Sequence, residues 1–248
     1  MTVAIGLTAV TAALLPASAE QHHHWSYSGE SGPSHWAELD SKNAACGAAK
    51  SQSPVNIRTH DVRRMPLPKL IFNYRSTPLR IIDNGHSVQV DVEPGSILKV
   101  GHKSYQLVQF HFHHPSEELI NGKRSEMVAH LVHRDSEGKL AVVAVLLRTG
   151  QPNATVEALW SHLPKQKEHE ADFKDVLINP AGLLPMNRSY FTYTGSLTTP
   201  PCTEGVRWLV LRTPSTLSKH EIAVFGKLYP NDARPVQKLN GRHVLGTK

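Results

Sequence analysis

From Leu70 onward, short apolar segments recur along the chain, each closed by a turn signal. Residues 79–82 run into Asn84-Gly85 and residues 87–92 follow; residues 97–100 run into Gly101, and residues 105–113 and 127–133 come next. Runs of this length, rich in Val, Ile and aromatic residues and punctuated by Gly and Asn, predict strands. Residues 140–147 are almost wholly apolar, which predicts a central strand covered on both faces, and residues 206–211, with Trp208, read the same way. Helical signals are few: residues 155–163, residues 171–176 and Lys219–Leu228. Ser51-Gln52-Ser53-Pro54-Val55-Asn56-Ile57 reads as a loop entering a short edge strand. Residues 21–49, rich in His, Gly, Ser and Trp without a sustained period, read as an irregular arm held to the body by Trp25, Tyr27 and Trp36. No repeat, linker or composition break divides the chain. The expected fold is mainly β, one domain with a large central sheet and small peripheral helices.

Composition narrows this picture. A length of 248 residues fits one large β-rich domain, and 40% hydrophobic content suffices for a sizeable core. The net charge is +6, but the Lys and Arg residues are scattered, with no block and no aromatic interleaving. That pattern describes a solvated surface and argues against a nucleic-acid partner. Residues 2–16 are mostly small and apolar and lead to Ala17-Ser18-Ala19, the small-x-small pattern of a signal-peptidase site. The run is too short to span a membrane. Residues 1–19 are therefore expected to be a signal peptide and residues 20–248 the mature domain, periplasmic or secreted. No Lys or Arg precedes the apolar run, which leaves open a start inside a longer leader. The two cysteines, Cys46 and Cys202, agree with export, where an even count suggests one disulfide. Two buried free thiols are the alternative, because sequence alone does not show that they meet. A bridge would close a very long loop, worth roughly 4–5 kcal/mol by chain-entropy reasoning. Without a Cys-x-x-Cys pair, a redox motif or thiolate zinc site is disfavoured.

Sixteen histidines are many for this length, and their placement carries the candidate chemistry. In Gln109-Phe-His-Phe-His-His114, strand alternation puts Gln109, His111 and His113 on one face and Phe110 and Phe112 on the other. The segment Val128-Ala-His-Leu-Val-His133 follows after a polar stretch holding the Asn121-Gly122 turn. If the two segments pair antiparallel, His130 faces His111 and His113 across the ladder. A lone strand histidine is ordinarily a satisfied core or surface residue. Three converging imidazoles with one open position instead make a catalytic zinc site. Three other pieces are unremarkable singly: the loop Tyr193-Thr-Gly-Ser-Leu-Thr-Thr-Pro-Pro-Cys202, a turn histidine in Asn84-Gly85-His86, and the carboxylate Glu117. His22-His23-His24 reads as an exposed polar cluster sooner than a surface chelator.

Taken together, these motifs resemble the alpha-class carbonic anhydrases of the bacterial, exported kind. The match runs from about His24 to Arg242 through His24-Trp25-x-Tyr27, Gln52-Ser-Pro-Val-Asn-Ile57, Asn84-Gly-His86, Gln109-Phe-His-Phe-His113, Ser116-Glu117, His130-Leu-Val-His133, Gly195-Ser-Leu-Thr-Thr-Pro-Pro201 and Trp208. The resemblance implies a mostly antiparallel, twisted central sheet and reversible hydration of carbon dioxide to bicarbonate and a proton, by attack of zinc-bound hydroxide. It implies His111, His113 and His130 as Zn2+ ligands. Thr198 would accept from the hydroxide and pass its own proton to Glu117, with Thr199 beside it in the bicarbonate site. His86 matches the proton shuttle, a role that an unperturbed pKa near 6.5 would suit. Val132, Val142, Leu197, Val206 and Trp208 match the apolar wall for carbon dioxide. Cys46 and Cys202 match the disulfide of exported members, and Gln109 and His133 match positions behind the ligands. His133, opposite in parity to His130, is expected to be structural.

Two departures matter. Where the family usually has a carboxylate two residues before the third ligand, this chain has Val128. Losing such an acceptor typically costs 10–100-fold in metal affinity or activity, a range measured on carbonic anhydrase itself, so faster zinc loss is expected. Glu126 has the right parity to substitute, at a long reach. Glu118 stands where many relatives have His, which changes the surroundings of Glu117. Competing functions are a zinc esterase or other hydrolase and a non-catalytic binding module of the same fold. The expected partner is a small molecule, carbon dioxide or bicarbonate; no membrane span is expected, and a homodimer is compatible with the sequence.

Overall fold

The computed structural model describes residues 24–248. The expected signal peptide and His22-His23 lie outside the described residues. A 13-stranded sheet dominates the chain. Its main path runs His169–Ile178, Thr77–Asp83, Val88–Asp91, Lys103–His113, Met127–Arg134, Leu140–Thr149, Glu204–Leu211, Tyr190–Ser196, Leu245–Thr247 and Arg63–Met65. Most ladders are antiparallel. Parallel pairing joins Leu140–Thr149 to Glu204–Leu211 and to Ser215–Leu217, and Leu245–Thr247 to Arg63–Met65, so the sheet is mixed.

Leu140–Thr149 lies near the middle, and its apolar run is divided between the two faces. Ala141, Val143, Val145 and Leu147 join one core with Phe110, Phe112, Leu131 and Leu209. Val142, Ala144 and Leu146 join a second core with Val128, Val206, Trp208 and Val210. Period-2 alternation in a strand covered on both sides produces this division. The continuous apolar run predicted it.

Pairing of Lys103–His113 with Met127–Arg134 is antiparallel, as the hairpin reading required, with His111 opposite His130 and Phe110 opposite Leu131. The register shifts between Leu107 and Gln109, so Val108 is an extra residue. Tyr105 and Leu107 belong to the same core as Phe110 and Phe112, although their positions differ in parity. The bulge turns the odd-numbered residues beyond it to the opposite face, where His111 and His113 stand.

Helices are peripheral. Ala154–Trp160 starts at Asn153, whose side chain accepts from the N–H groups of Thr155 and Val156. Lys219–Leu228 begins with a reciprocal Ser218/Glu221 capping box. The expected helix over residues 171–176 is instead part of the edge strand His169–Ile178. There Ala171 and Phe173 pack on the core while Glu170, Asp172 and Lys174, alternating with them, are exposed, a period of 2 that outweighs the helical reading.

The N-terminal arm is irregular, with turns at Gly29–Ser31, Trp36–Leu39, Ser41–Asn43 and Ala45–Ala48. Trp36 is fully buried, donates from Nε1 to Ser26 O, and meets Trp25 and Tyr27 edge to face. Cys46 at the arm's end is disulfide-bonded to Cys202, 156 residues away, with Cα atoms 5.0 Å apart. The bond ties the arm to the loop that carries Thr198 and Thr199. Replacing both cysteines with Ala is expected to lower the unfolding free energy by about 2–5 kcal/mol, read as a lower urea midpoint. An unchanged midpoint would show that the arm is held by Trp36 and its neighbours alone.

Candidate metal centre

His111, His113 and His130 lie on the second face of the sheet, and one ring nitrogen from each falls within 4.8 Å of the others. The opposite nitrogen of each ring has an acceptor. His111 Nδ1 donates to Gln109 Oε1 at 2.8 Å, His113 Nδ1 to Asp232 O at 2.8 Å, and His130 Nε2 to Glu118 Oε1 at 3.0 Å. A neutral imidazole with one N–H committed presents its lone pair on the other nitrogen. The lone pairs are then on Nε2 of His111, Nε2 of His113 and Nδ1 of His130. His113 Nε2 is buried without a hydrogen-bond partner, as a nitrogen meant for a cation would be. Burial, then the neighbouring His113 and His130, hold His111 well below the usual imidazole pKa, which favours the neutral, ligating form. These residues fit a divalent ion with nitrogen preference, three ligands and an open position.

Glu117 and Glu118 sit side by side, both fully buried. Glu117 Oε1 accepts from the Arg234 N–H at 2.8 Å, while its Oε2 has no partner and lies 3.7 Å from His113 Nε2 and 3.8 Å from His130 Nδ1. Thr198 is buried, and Glu117 Oε2 receives no hydrogen bond from it. Thr199 is half-buried on the same loop. The loop begins at Gly195, where a Cβ would fall 2.0 Å from Ser53 Oγ, so only glycine lets the strand end approach that closely.

The acceptor expected to be missing behind His130 is present. Val128 is fully buried among apolar neighbours, and Glu126 is exposed and accepts from Thr149 Oγ1 at 3.1 Å, so Glu126 does not substitute. The oxygen at His130 Nε2 is instead Glu118 Oε1, from the connecting loop. His133 is structural as expected, bonded through Nδ1 to Ala141 O and through Nε2 to Tyr74 Oη.

Val142, Val206 and Trp208 are buried in one apolar cluster, with Val132 and Leu197 packed against it. Trp208 meets the His130 ring edge to face at 4.9 Å between centroids. All five residues expected in the apolar wall thus fall in or against one apolar cluster, of which Trp208 meets the third imidazole.

His86 occupies the tight turn where Asn84 Oδ1 accepts from the N–H groups of His86 and Ser87. Its ring stacks on Trp25 at 3.6 Å and 10°, and His24 lies 4.9 Å away. Burial first, then the like charge of His24, lower its pKa to about 4. The expectation of an unperturbed value is corrected accordingly. His24, Trp25 and His86 line a cavity of about 380 Å³ with Pro200 and Pro201.

Asp232 and Arg234 escaped the sequence reading. Burial raises the Asp232 carboxyl to about 7 against the pull of His113. The Arg234 guanidinium donates to Gln52 Oε1, Ser53 O and Cys46 O. They sit in an irregular segment with no period to read, and the one hint was a pair of charges held between Pro230 and Pro235.

Known proteins match along most of the chain. The family model described as eukaryotic-type carbonic anhydrase matches residues 31–248. A carbonic anhydrase of Nostoc sp. is 42% identical over 225 residues, covering 90% of this chain and 85% of that protein. Among solved structures, a hyperthermostable carbonic anhydrase identified from an active hydrothermal vent chimney has a TM-score of 0.87 at 42% identity, covering 91% of this chain and 100% of that one. The alpha-carbonic anhydrase of Thermovibrio ammonificans, solved with the inhibitor sulfanilamide, has a TM-score of 0.86 at 38% identity, covering 90% and 99%.

Replacing any one of His111, His113 or His130 with Ala is expected to lower the zinc retained after gel filtration by at least about tenfold, with the β-sheet circular dichroism preserved. A variant that keeps one ion per chain would remove that ring from the centre.

Proposed function

The chain belongs to the eukaryotic-type carbonic anhydrase family, and we propose that it is a zinc enzyme hydrating carbon dioxide reversibly to bicarbonate and a proton. The observation that carries this reading is the set of three imidazoles whose lone pairs converge beside an apolar wall. His111 and His113 would hold the ion through Nε2 and His130 through Nδ1. When bound, zinc supplies a nucleophile at neutral pH by lowering the pKa of water to about 7, a value established on carbonic anhydrase itself.

The remaining steps belong to the chain. Val132, Val142, Leu197, Val206 and Trp208 form a dry surface against which an apolar triatomic substrate settles without losing hydrogen bonds. The Thr198 hydroxyl would accept a hydrogen bond from that nucleophile and, once turned toward Glu117, would donate its own to the free Oε2, which would aim a lone pair at the substrate carbon. Glu117 is prepared for this: Arg234 N–H occupies Oε1 and Oε2 is free. Thr199 receives the bicarbonate product. His86 then carries the proton outward. Stacked on Trp25 it is a weak base, and turning away from the indole returns it toward an ordinary imidazole pKa near 6.5.

Residues 1–19 act in this reading as a leader, residues 20–248 as the enzyme domain, and the product is released in the periplasm or outside the cell. The Cys46–Cys202 disulfide supports an oxidising compartment. Among the described residues no helix is long and apolar enough to cross a membrane.

Stopped-flow hydration of carbon dioxide, with zinc measured on the same sample, tests the activity. Hydration at about one zinc per chain is expected; full zinc without hydration would overturn the reading. His86→Ala is expected to slow turnover in weak buffer and recover when imidazole is added, and an absence of buffer dependence would exclude the shuttle. Trp25→Ala is expected to raise the His86 pKa from about 4 toward 6.5, followed by NMR titration; an unmoved value would show that the stack is not what buries the ring.

A further inference from the structure

We propose that Glu118 is the positioning residue for His130, performing from the connecting loop the task that the family assigns to the position of Val128. This rests on the metal-centre reading above and adds to it the residue that fixes the third ligand.

The geometry is specific. Glu118 Oε1 lies 3.0 Å from His130 Nε2, with Glu118 fully buried and His130 1% exposed. No other acceptor serves that nitrogen. Val128 offers none, Glu126 is turned to Thr149, and Glu117 lies toward the opposite nitrogen, 3.8 Å from Nδ1. Without Glu118 the His130 N–H would be a buried donor lacking a partner, a cost of about 1–3 kcal/mol. The ring would be free to turn or to protonate Nδ1, the atom the metal needs. Glu118 therefore selects the tautomer as well as the orientation.

The loop is built to deliver it. Ser116 Oγ donates to Glu118 O at 2.9 Å and accepts from Ser125 N at 2.9 Å, and Ser116 N donates to Ser125 O at 3.1 Å. Arg124 donates to Ser116 O, and Leu119 N donates to Val55 O at 3.3 Å. Two adjacent carboxylates are thereby held with different partners: Glu117 takes the Arg234 N–H, and Glu118 takes the imidazole.

The acceptors also differ in kind. Gln109 offers an amide oxygen to His111 and Asp232 a backbone carbonyl to His113. Glu118 alone brings a charged oxygen within hydrogen-bond distance of a ligand ring. A carboxylate acceptor makes the imidazole a stronger donor to the ion than a neutral one does, so His130 is the ligand whose grip depends most on its partner. Position 128 lies two residues from His130 on the same strand face and opposite His113 across the ladder. A side chain there could reach the same nitrogen, and the apolar Val128 is tolerated because the loop already supplies the charge.

The test uses the full chain loaded with zinc, and follows the ion's dissociation into a chromogenic chelator. Glu118→Gln is expected to speed zinc loss by about 10–100-fold, the range found for such partners in carbonic anhydrase itself. The urea midpoint of the zinc-free protein should not fall, because a buried charge has been removed. The downfield proton resonance of His130 Nε2–H should move upfield in the same variant. Adding Val128→Glu to Glu118→Gln is expected to restore slow zinc release. A Glu118→Gln protein with unchanged zinc release and an unmoved resonance would overturn the proposal, as would a lower urea midpoint with unchanged zinc release, which is the mark of a purely structural side chain. If Glu118→Gln does not fold, Val128→Glu in the otherwise unaltered chain still decides it: a second carboxylate at an already satisfied nitrogen should not slow zinc release, and a tenfold slowing would show that the nitrogen had lacked its partner. Failure of the unaltered chain to bind zinc would overturn the metal-centre reading instead.

Discussion

A buried imidazole can serve as a metal ligand only when one of its nitrogens is already committed. Left to itself in a low-dielectric interior, the ring either protonates beside a carboxylate or turns its N–H toward whatever acceptor it can find. Three such rings crowded together face this problem jointly, since any one of them charged would repel the others. Gln109, the Asp232 carbonyl and Glu118 take one N–H each and so fix which nitrogen of each ring faces the others. The convergence of the three lone pairs follows from those three hydrogen bonds, and much of the surrounding architecture serves to hold the acceptors still.

Each acceptor comes from a different kind of element. Gln109 shares a strand face with the ring it serves, immediately past the bulge at Val108. That bulge lets a strand whose first half buries Tyr105 and Leu107 in one core present His111 and His113 to the other side. Glu118 comes from a loop pinned by Ser116 and Ser125. Asp232 comes from the segment after the Lys219–Leu228 helix, whose Arg234 reaches Gln52, Ser53 and the Cys46 carbonyl. Through Arg234 and the Cys46–Cys202 bond, the N-terminal arm and the Thr198 loop are secured to the same framework.

Period and punctuation carried the sheet in the sequence: Leu140–Thr149 and its two-sided burial, the His111–His130 pairing and the Lys219–Leu228 helix were all legible. The edge strand His169–Ile178 was half legible, because Ala171 and Phe173 alternate while the acidic and basic residues between them also suit a helix. The bulge at Val108 was not, since inserting one residue leaves no compositional trace. The cluster of His111, His113 and His130 could be read because it lies on strands, where parity fixes facing. Glu118 could not be assigned because it lies in a loop, where no period relates sequence position to direction. For the same reason Asp232 and Arg234 went unseen, and His86 was located while its stacking on Trp25, and hence its lowered pKa, was not.

The centre also has a charge imbalance that only the assembled structure reveals. Glu117, Glu118 and Asp232 are all buried, and each has one carboxylate oxygen without a hydrogen-bond partner. Arg124 and Arg234 are the fixed cations that face them, Arg234 still charged at neutral pH although burial lowers its pKa to about 10. A buried carboxylate is costly unless paired, and the alternative is to take up a proton. Asp232, with a pKa pushed up to about 7, stands at that boundary. A divalent cation at the three imidazoles reverses the balance, because it is the largest local charge and favours the ionised form of every acid around it. Asp232, whose ionised form burial penalises, is thus a group that a cation stabilises. Metal binding and folding are therefore coupled through Asp232 as well as through the three rings.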